Sequence, residues 1–166
     1  APAGTDRYDA GRDLIATAID VHQGSATLIR LPGGKTMLVD GGGRATDGFD
    51  IGRSVVAPFL WHEGIRALDV VVLSHAHADH LGGLLFVLEH FPVKEVWSNG
   101  EGGNDEAYGR FLEILSRKGM RHRIFTEKKS LLQIGPVAIQ LLNPNPRFSS
   151  RQDLNEKSLV LRLTLG

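Results

Sequence analysis

An α/β fold, with mixed sheets covered by helices, is what this sequence predicts, and three observations predict it. Strand-like and helix-like segments alternate along the chain, in the order strands, helix, strand, helix, strand, helix, strands. The run Ala67-Leu68-Asp69-Val70-Val71-Val72-Leu73 is almost wholly apolar and rich in β-branched residues, which suits a strand buried in a parallel sheet. Downstream, Leu81 to Phe91 is apolar at helical spacing. At 166 residues, 42% hydrophobic and 23% charged, the chain is one domain or most of one, able to bury an ordinary core.

Residues 1–13, opening on Ala1-Pro2-Ala3-Gly4-Thr5, are small and polar and read as a tail or linker, with the domain running from 14 to 166. Leu14 to Val21 and Ser25 to Leu31 read as strands. Pro32-Gly33-Gly34-Lys35 is a turn, and Thr36 to Val39 returns as the second arm of a hairpin. Asp50 is placed to cap a helix from Ile51 to Glu63, with Val55, Val56, Phe59 and Leu60 inward and Pro58 expected to kink it or delay its start. Leu84, Leu85, Val87 and Leu88 are the inward face of the helix after the central strand. Val93 to Trp97 is a short strand, followed by a Gly- and Asn-rich loop to Asp105. Glu106 to Arg117 is an amphipathic helix closed by Gly119. Arg121 to Thr126 is a strand, Leu131 to Ile134 and Val137 to Leu142 form a hairpin around Gly135-Pro136, a polar loop reaches Gln152, and Ser158 to Leu165 is the last strand.

Composition excludes several classes. No apolar run reaches the roughly 18 residues a membrane span needs, and the N-terminal residues do not read as a secretory signal. With no cysteine there is no disulfide and no thiolate metal site. No Gly-x-x-x-x-Gly-Lys-Ser/Thr follows a strand, so there is no P-loop. Net charge is zero but unevenly spread, with 8 Lys+Arg against 12 Asp+Glu in residues 1–100 and 11 against 7 in residues 101–166. That balance argues against strong global attraction for nucleic acid. The run Arg117, Lys118, Arg121, Arg123, Lys128 and Lys129 reads first as a solvated face, with a phosphate-tracking surface as the alternative.

The chemistry concentrates in Ser74-His75-Ala76-His77-Ala78-Asp79-His80-Leu81-Gly82-Gly83, where the central strand feeds its helix. Sites in open α/β sheets gather at the carboxyl ends of strands. In an extended segment, residues two apart point the same way, so His75 and His77 can reach one point, while Asp79 and His80 face a second beside it. Imidazole and carboxylate donors suit zinc, manganese or iron better than calcium or magnesium. Two such ions about 3.5–4 Å apart would clamp attacking and leaving oxygens and activate a water. Asp40, in Asp40-Gly41-Gly42-Gly43, either orients one of these histidines from behind or caps its own turn. His62 and His90 read as helix-end or surface histidines, and Asn99, Asn104 and Asp105 as solvated turn residues first, with substrate contacts as the alternative.

His-x-His-x-Asp-His after an apolar strand resembles the signature of the metallo-β-lactamase fold superfamily. Ala18-Ile19-Asp20-Val21-His22-Gln23-Gly24-Ser25-Ala26 resembles a segment of ComEC-type DNA-uptake (competence) proteins. Leu38-Val39-Asp40-Gly41-Gly42, Val56-Ala57-Pro58-Phe59-Leu60 with Gly64-Ile65, Leu73 to Gly83, and Asn155-Glu156-Lys157-Ser158-Leu159-Val160-Leu161 follow in that family's order. The chain departs from it at His22, where glycine is usual, and at Glu156, where aspartate is usual.

The resemblance implies a four-layer αββα sandwich and two divalent metal ions, zinc or manganese, held by His75, His77, Asp79 and His80, with Asp40 behind them and Asp79 also orienting the attacking water. It implies phosphodiester hydrolysis, with DNA as the partner, in a soluble domain on the outer side of the inner membrane, part of a membrane-embedded parent. Two other functions stay open: a small-molecule hydrolase acting on an ester, lactone or phosphoester, and a non-catalytic DNA-binding module. The superfamily follows its equivalent of the last strand with Gly-Asp and a later histidine, whereas this sequence stops at Leu165-Gly166. Either the domain is cut short at its C-terminus or it is a degenerate member, and the family match up to the last residue favours an incomplete domain. Asn155 stands in the segment where relatives place a third ligand, but its amide oxygen is a poor zinc ligand and a turn or strand cap is its alternative role. Two donors per ion fall short of zinc's usual three. Calorimetric titration of this chain with zinc and manganese is thus expected to give weak binding, and submicromolar affinity at two sites would contradict that.

Overall fold

The apolar run at 67–73 becomes the strand through which the fold is threaded. The computed structural model describes residues 9, 11–43, 49–103, 105–127, 132–144 and 153–166. The expected tail before residue 9, Asn104, Lys128, Lys129 and most of the loop before residue 153 lie outside these residues.

Six strands form the larger sheet in sequence order: β1 (Ile15–Ala18), β2 (Thr27–Leu31), β3 (Lys35–Val39), β4 (Leu68–Val72), β5 (Val93–Ser98) and β6 (Arg121–Ile124). The first three are antiparallel neighbours, and β3, β4, β5 and β6 then run parallel. The parallel crossovers carry α1 (Ala57–His62), α2 (Ala78–His90) and α3 (Glu106–Arg117). A second, three-stranded antiparallel sheet is built from β7 (Leu132–Ile134), β8 (Val137–Asn143) and β9 (Val160–Leu165).

Alternation along each strand produces two cores. Leu28, Leu38, Val71 and Val96 face the helices and pack with Leu60, Leu81, Leu84, Leu88 and Phe111. Ile29, Met37, Val70, Val72 and Trp97 face the other way and meet Val137, Ile139 and Leu141 of the smaller sheet. Because β4 is covered on both faces, its sequence is a continuous apolar run and not an alternating one. The layers are thus helices, large sheet and small sheet, three of the four expected. Leu142 and Val160 stay exposed on the outer side of the small sheet, and no described helix covers them.

One helix differs from expectation. Gly52–Val56 is a π-helical segment, and α1 begins only at Ala57, with Pro58 in its first turn. Proline has no N–H to give the carbonyl four residues back, and its ring crowds that carbonyl. Widening the preceding turn relieves this: Ala57 N–H reaches Gly52 O, five residues back. Asp50 does act at the start of this stretch, accepting from Arg53 N at 3.1 Å.

The loop leaving β3 lies flat against the first turns of α2. Gly41 N donates to His80 O at 2.8 Å. A Cβ on Gly83 would fall 2.0 Å from Gly41 O, and one on Gly41 2.4 Å from Leu84 N, so only glycine permits this approach.

The basic run is mostly paired. Arg117 bonds Glu89, Arg121 and Arg123 both reach Glu95, and Lys118 Nζ donates to the last carbonyls of α2. Within the apolar run, Asp69 is tolerated because Lys94 Nζ (2.6 Å), Lys35 Nζ (3.1 Å) and Thr36 N (3.1 Å) all donate to it. Burial alone would raise its pKa, but these donors outweigh burial and hold it below the ordinary carboxylate value. A depressed carboxylate stabilises the fold above its unfolded pKa and loses that effect as pH falls through the folded one. Asp69→Asn should therefore cost about 1–2 kcal/mol at pH 7 by urea denaturation. The difference from wild type should shrink below about pH 4, where the unfolded carboxylate protonates.

Candidate metal centre

The strand-to-helix joint positions the cluster. Ser74, His75 and Ala76 leave β4 in non-helical conformation, and α2 starts at Ala78. His77 is the N-cap of α2, with extended backbone (φ −68°, ψ 146°) and no side-chain capping bond, which leaves its imidazole to point elsewhere. Asp79 and His80 then fall in the first helical turn. The result gathers three imidazoles. The ring centroids of His75 and His77 are 4.7 Å apart, edge to face, and those of His75 and His80 are 4.0 Å apart.

Asp40 sits behind them, 3% exposed and in the left-handed region (φ 59°). Its carboxylate accepts from Ser74 N (2.8 Å), Ser74 Oγ (2.7 Å) and His80 Nδ1 (2.7 Å). These three bonds go to Ser74 and His80, and none of them caps the turn at 40–43. A carboxylate on one ring nitrogen fixes the tautomer and turns the other nitrogen outward, the usual support of a metal-ligating histidine. The same hydrogen bond raises the pKa of His80 against the opposing effect of burial, with the charges of Asp40 and Asp79 adding to it. His75 behaves in the opposite sense. Burial pushes its pKa down, helped by neighbouring His80 and His77 and opposed by the two aspartates, so its neutral form is favoured.

A divalent cation fits this donor set on one observation above all. His75 is 3% exposed, and its Nε2 is buried with no hydrogen-bond partner among the described residues. An imidazole nitrogen left dry and unpaired is costly unless something else takes its lone pair. Among the described residues, no three His, Asp or Glu side chains are gathered tightly enough to hold an ion unaided.

The remaining histidines stand apart. His22, His62 and His90 are exposed, and His90 Nδ1 bonds Phe86 O. His122 is held by Ser98 Oγ at 2.8 Å and has its pKa lowered by burial. His22 takes a left-handed φ of 67°, which explains why the resembling family prefers glycine there. Two residues on, Gly24 packs so close to α2 that a Cβ would lie 1.6 Å from Asp79 O.

Asn155 is exposed and joins the site's hydrogen bonding through its main chain, with its N–H on Asp153 Oδ1 and its carbonyl accepting from Ser158. Sequence reasoning missed three neighbours. Asp153 Oδ1 lies 3.8 Å from His77 Nε2, and the hydroxyls of Ser74 and Ser158 both approach His75 Nδ1. Asn99, expected to be solvated, is 3% exposed and donates to Lys157 O at 3.0 Å, pinning this segment. Asp105 instead caps α3 through Ala107 N and Tyr108 N.

A family model described as the metallo-beta-lactamase superfamily matches residues 19–149. The chain belongs to the metallo-β-lactamase superfamily. Among curated relatives, ComE operon protein 3 of Bacillus subtilis (strain 168) is 28% identical over 160 residues, covering 89% of this chain and 20% of that protein. Recombination protein 2 of Haemophilus influenzae is 36% identical over 93 residues, 56% of this chain and 11% of the relative. The chain therefore spans a fifth or less of the length of these relatives. The competence-protein resemblance read from the segments around Asp20 and Asn155 agrees with the first of these matches. Among solved structures, the metallo-β-lactamase fold protein YhfI of Bacillus subtilis superposes with a TM-score of 0.51 at 20% identity, over 86% of this chain and 51% of that one. Rm3 metallo-β-lactamase gives 0.52 at 16%, over 93% and 58%. These two establish the fold.

Replacing Asp40 with alanine would strand Ser74 N and the ring N–H of His80 in a buried setting. Asp40→Ala should destabilise the chain by about 3 kcal/mol in urea denaturation. A cost under about 1 kcal/mol would mean the carboxylate is not the buried hub described.

Proposed function

We propose that this chain is part of the metal-dependent hydrolase of a DNA-uptake protein, that the full-length protein cleaves phosphodiester bonds in DNA, and that this chain alone has little activity. The observation that carries the reading is the buried, unpaired Nε2 of His75 beside His77 and His80. The similarity to ComE operon protein 3 supports the competence setting, in a longer protein with further segments outside this one.

His75 and His77 would hold one divalent ion, and Asp79 and His80 a second, zinc or manganese by donor type. Bound there, such ions supply Lewis-acid charge for phosphoryl oxygens and acidify water at neutral pH. The chain's own residues do the rest. Asp40 accepts a hydrogen bond from Nδ1–H of His80 and keeps that ring in place. Asp79, half-buried in the first turn of α2, is the carboxylate available to orient an attacking water. The N-terminus of α2 adds its partial positive charge where a phosphate would approach.

A non-catalytic DNA-binding role has less support, because Arg117, Arg121 and Arg123 are already engaged by Glu89 and Glu95. A small-molecule hydrolase is separated by assay. In the open reading frame that encodes this segment, manganese-dependent cleavage of single-stranded DNA is expected, with little turnover of generic esters or lactones. His77→Ala should lower cleavage at least about 100-fold while leaving DNA binding within about twofold. Ester turnover without DNA cleavage would favour the small-molecule reading. Salt-sensitive binding with no cleavage in any metal would favour the binding module.

A further inference from the structure

The segment ahead of β9 is tied down over the cluster. Leu159 N donates to Ser74 O at 2.8 Å. Asn143 Nδ2 donates to Glu156 O (2.9 Å) and Ser158 O (2.7 Å), and Asn99 Nδ2 donates to Lys157 O. These anchors bring Ser158 Oγ to 3.2 Å from His75 Nδ1, across more than eighty residues of sequence.

The direction of that contact follows from counting protons. A serine hydroxyl has one proton to give. Ser158 Oγ lies 2.7 Å from Asn155 O, a carbonyl that can only accept, so its proton is committed there. Ser74 Oγ lies 2.7 Å from Asp40 Oδ2, a carboxylate that can only accept, so its proton is committed too. Both oxygens also face His75 Nδ1, at 3.2 and 2.9 Å, and neither has a proton left for it. The ring must donate to both, in a shared hydrogen bond. A neutral imidazole carries one N–H, so Nε2 bears the lone pair. That is the nitrogen found buried and unpaired.

We propose that Ser158, with Ser74, is a positioning residue that locks His75 in the Nδ1–H tautomer and so presents Nε2 to a metal ion. The segment around Asn155 then serves the centre from behind, through a carbonyl and a hydroxyl. The proposal rests on His75 being a metal ligand, but the tautomer is read without metal or DNA, so a failed nuclease assay leaves it standing.

The test is nitrogen NMR of the His75 ring in the 166-residue chain, followed by titration with zinc chloride observed at the same signals. The wild type should show the proton on Nδ1. The double variant Ser74→Ala/Ser158→Ala should shift it toward Nε2 and weaken zinc binding about tenfold. Ser158→Thr, which keeps the hydroxyl, should match the wild type. A proton on Nε2 in the wild type overturns the proposal. So does a folded double variant with an unchanged tautomer. If the double variant does not fold, Ser158→Ala decides: a loss of zinc affinity of about threefold or more supports the lock, and a smaller one overturns it.

Discussion

The buried carboxylate of Asp40 is the constraint on which the rest of the site depends. It lies at the end of β3, and its three hydrogen bonds go to the exit of β4 and the first turn of α2. One side chain therefore fixes the strand, the helix and the ring of His80 relative to one another. A buried charge is costly without full hydrogen bonding, so the arrangement tolerates little drift. The left-handed backbone at Asp40 belongs to the same constraint, since strain held at such a joint persists only when surrounding contacts determine it.

Glycines extend that control to the main chain. Gly41 against Gly83, and Gly24 against Asp79, bring two loops of the large sheet onto the start of α2 with no side chain between. The loop carrying the three histidines is thereby clamped from two sides by backbone, while the segment ahead of β9 closes over it through Leu159 and Ser158. Packing and hydrogen bonding thus orient the rings of His75 and His80 within the protein itself, the preorganisation that the proposed metal centre would need.

Much of the fold was legible because its signals are local. The β-branched run at 67–73, the Pro32-Gly33-Gly34 turn and the amphipathic face of α3 each follow from neighbouring residues. The proximity of the three imidazoles of the cluster 75–80 was legible for the same reason, since these residues are neighbours where a strand meets a helix. What escaped was long-range. Asn99 looks like a turn residue until its side chain is found spanning to Lys157. Ser158 gives no sign that its hydroxyl will meet a histidine 83 positions earlier. The π-helical turn before Pro58 was half visible: proline signalled a disturbance, but not that the turn ahead of it would widen to a five-residue hydrogen bond.

The central claim is that His75, His77, Asp79 and His80 converge on divalent cations. Anomalous diffraction from crystals of this chain soaked in manganese tests it most directly. A peak is expected within bonding distance of His75 Nε2, with His77 also in the first coordination sphere. Strong peaks found only elsewhere on the molecule, with the Nε2 of His75 still bare at saturating metal, would contradict it.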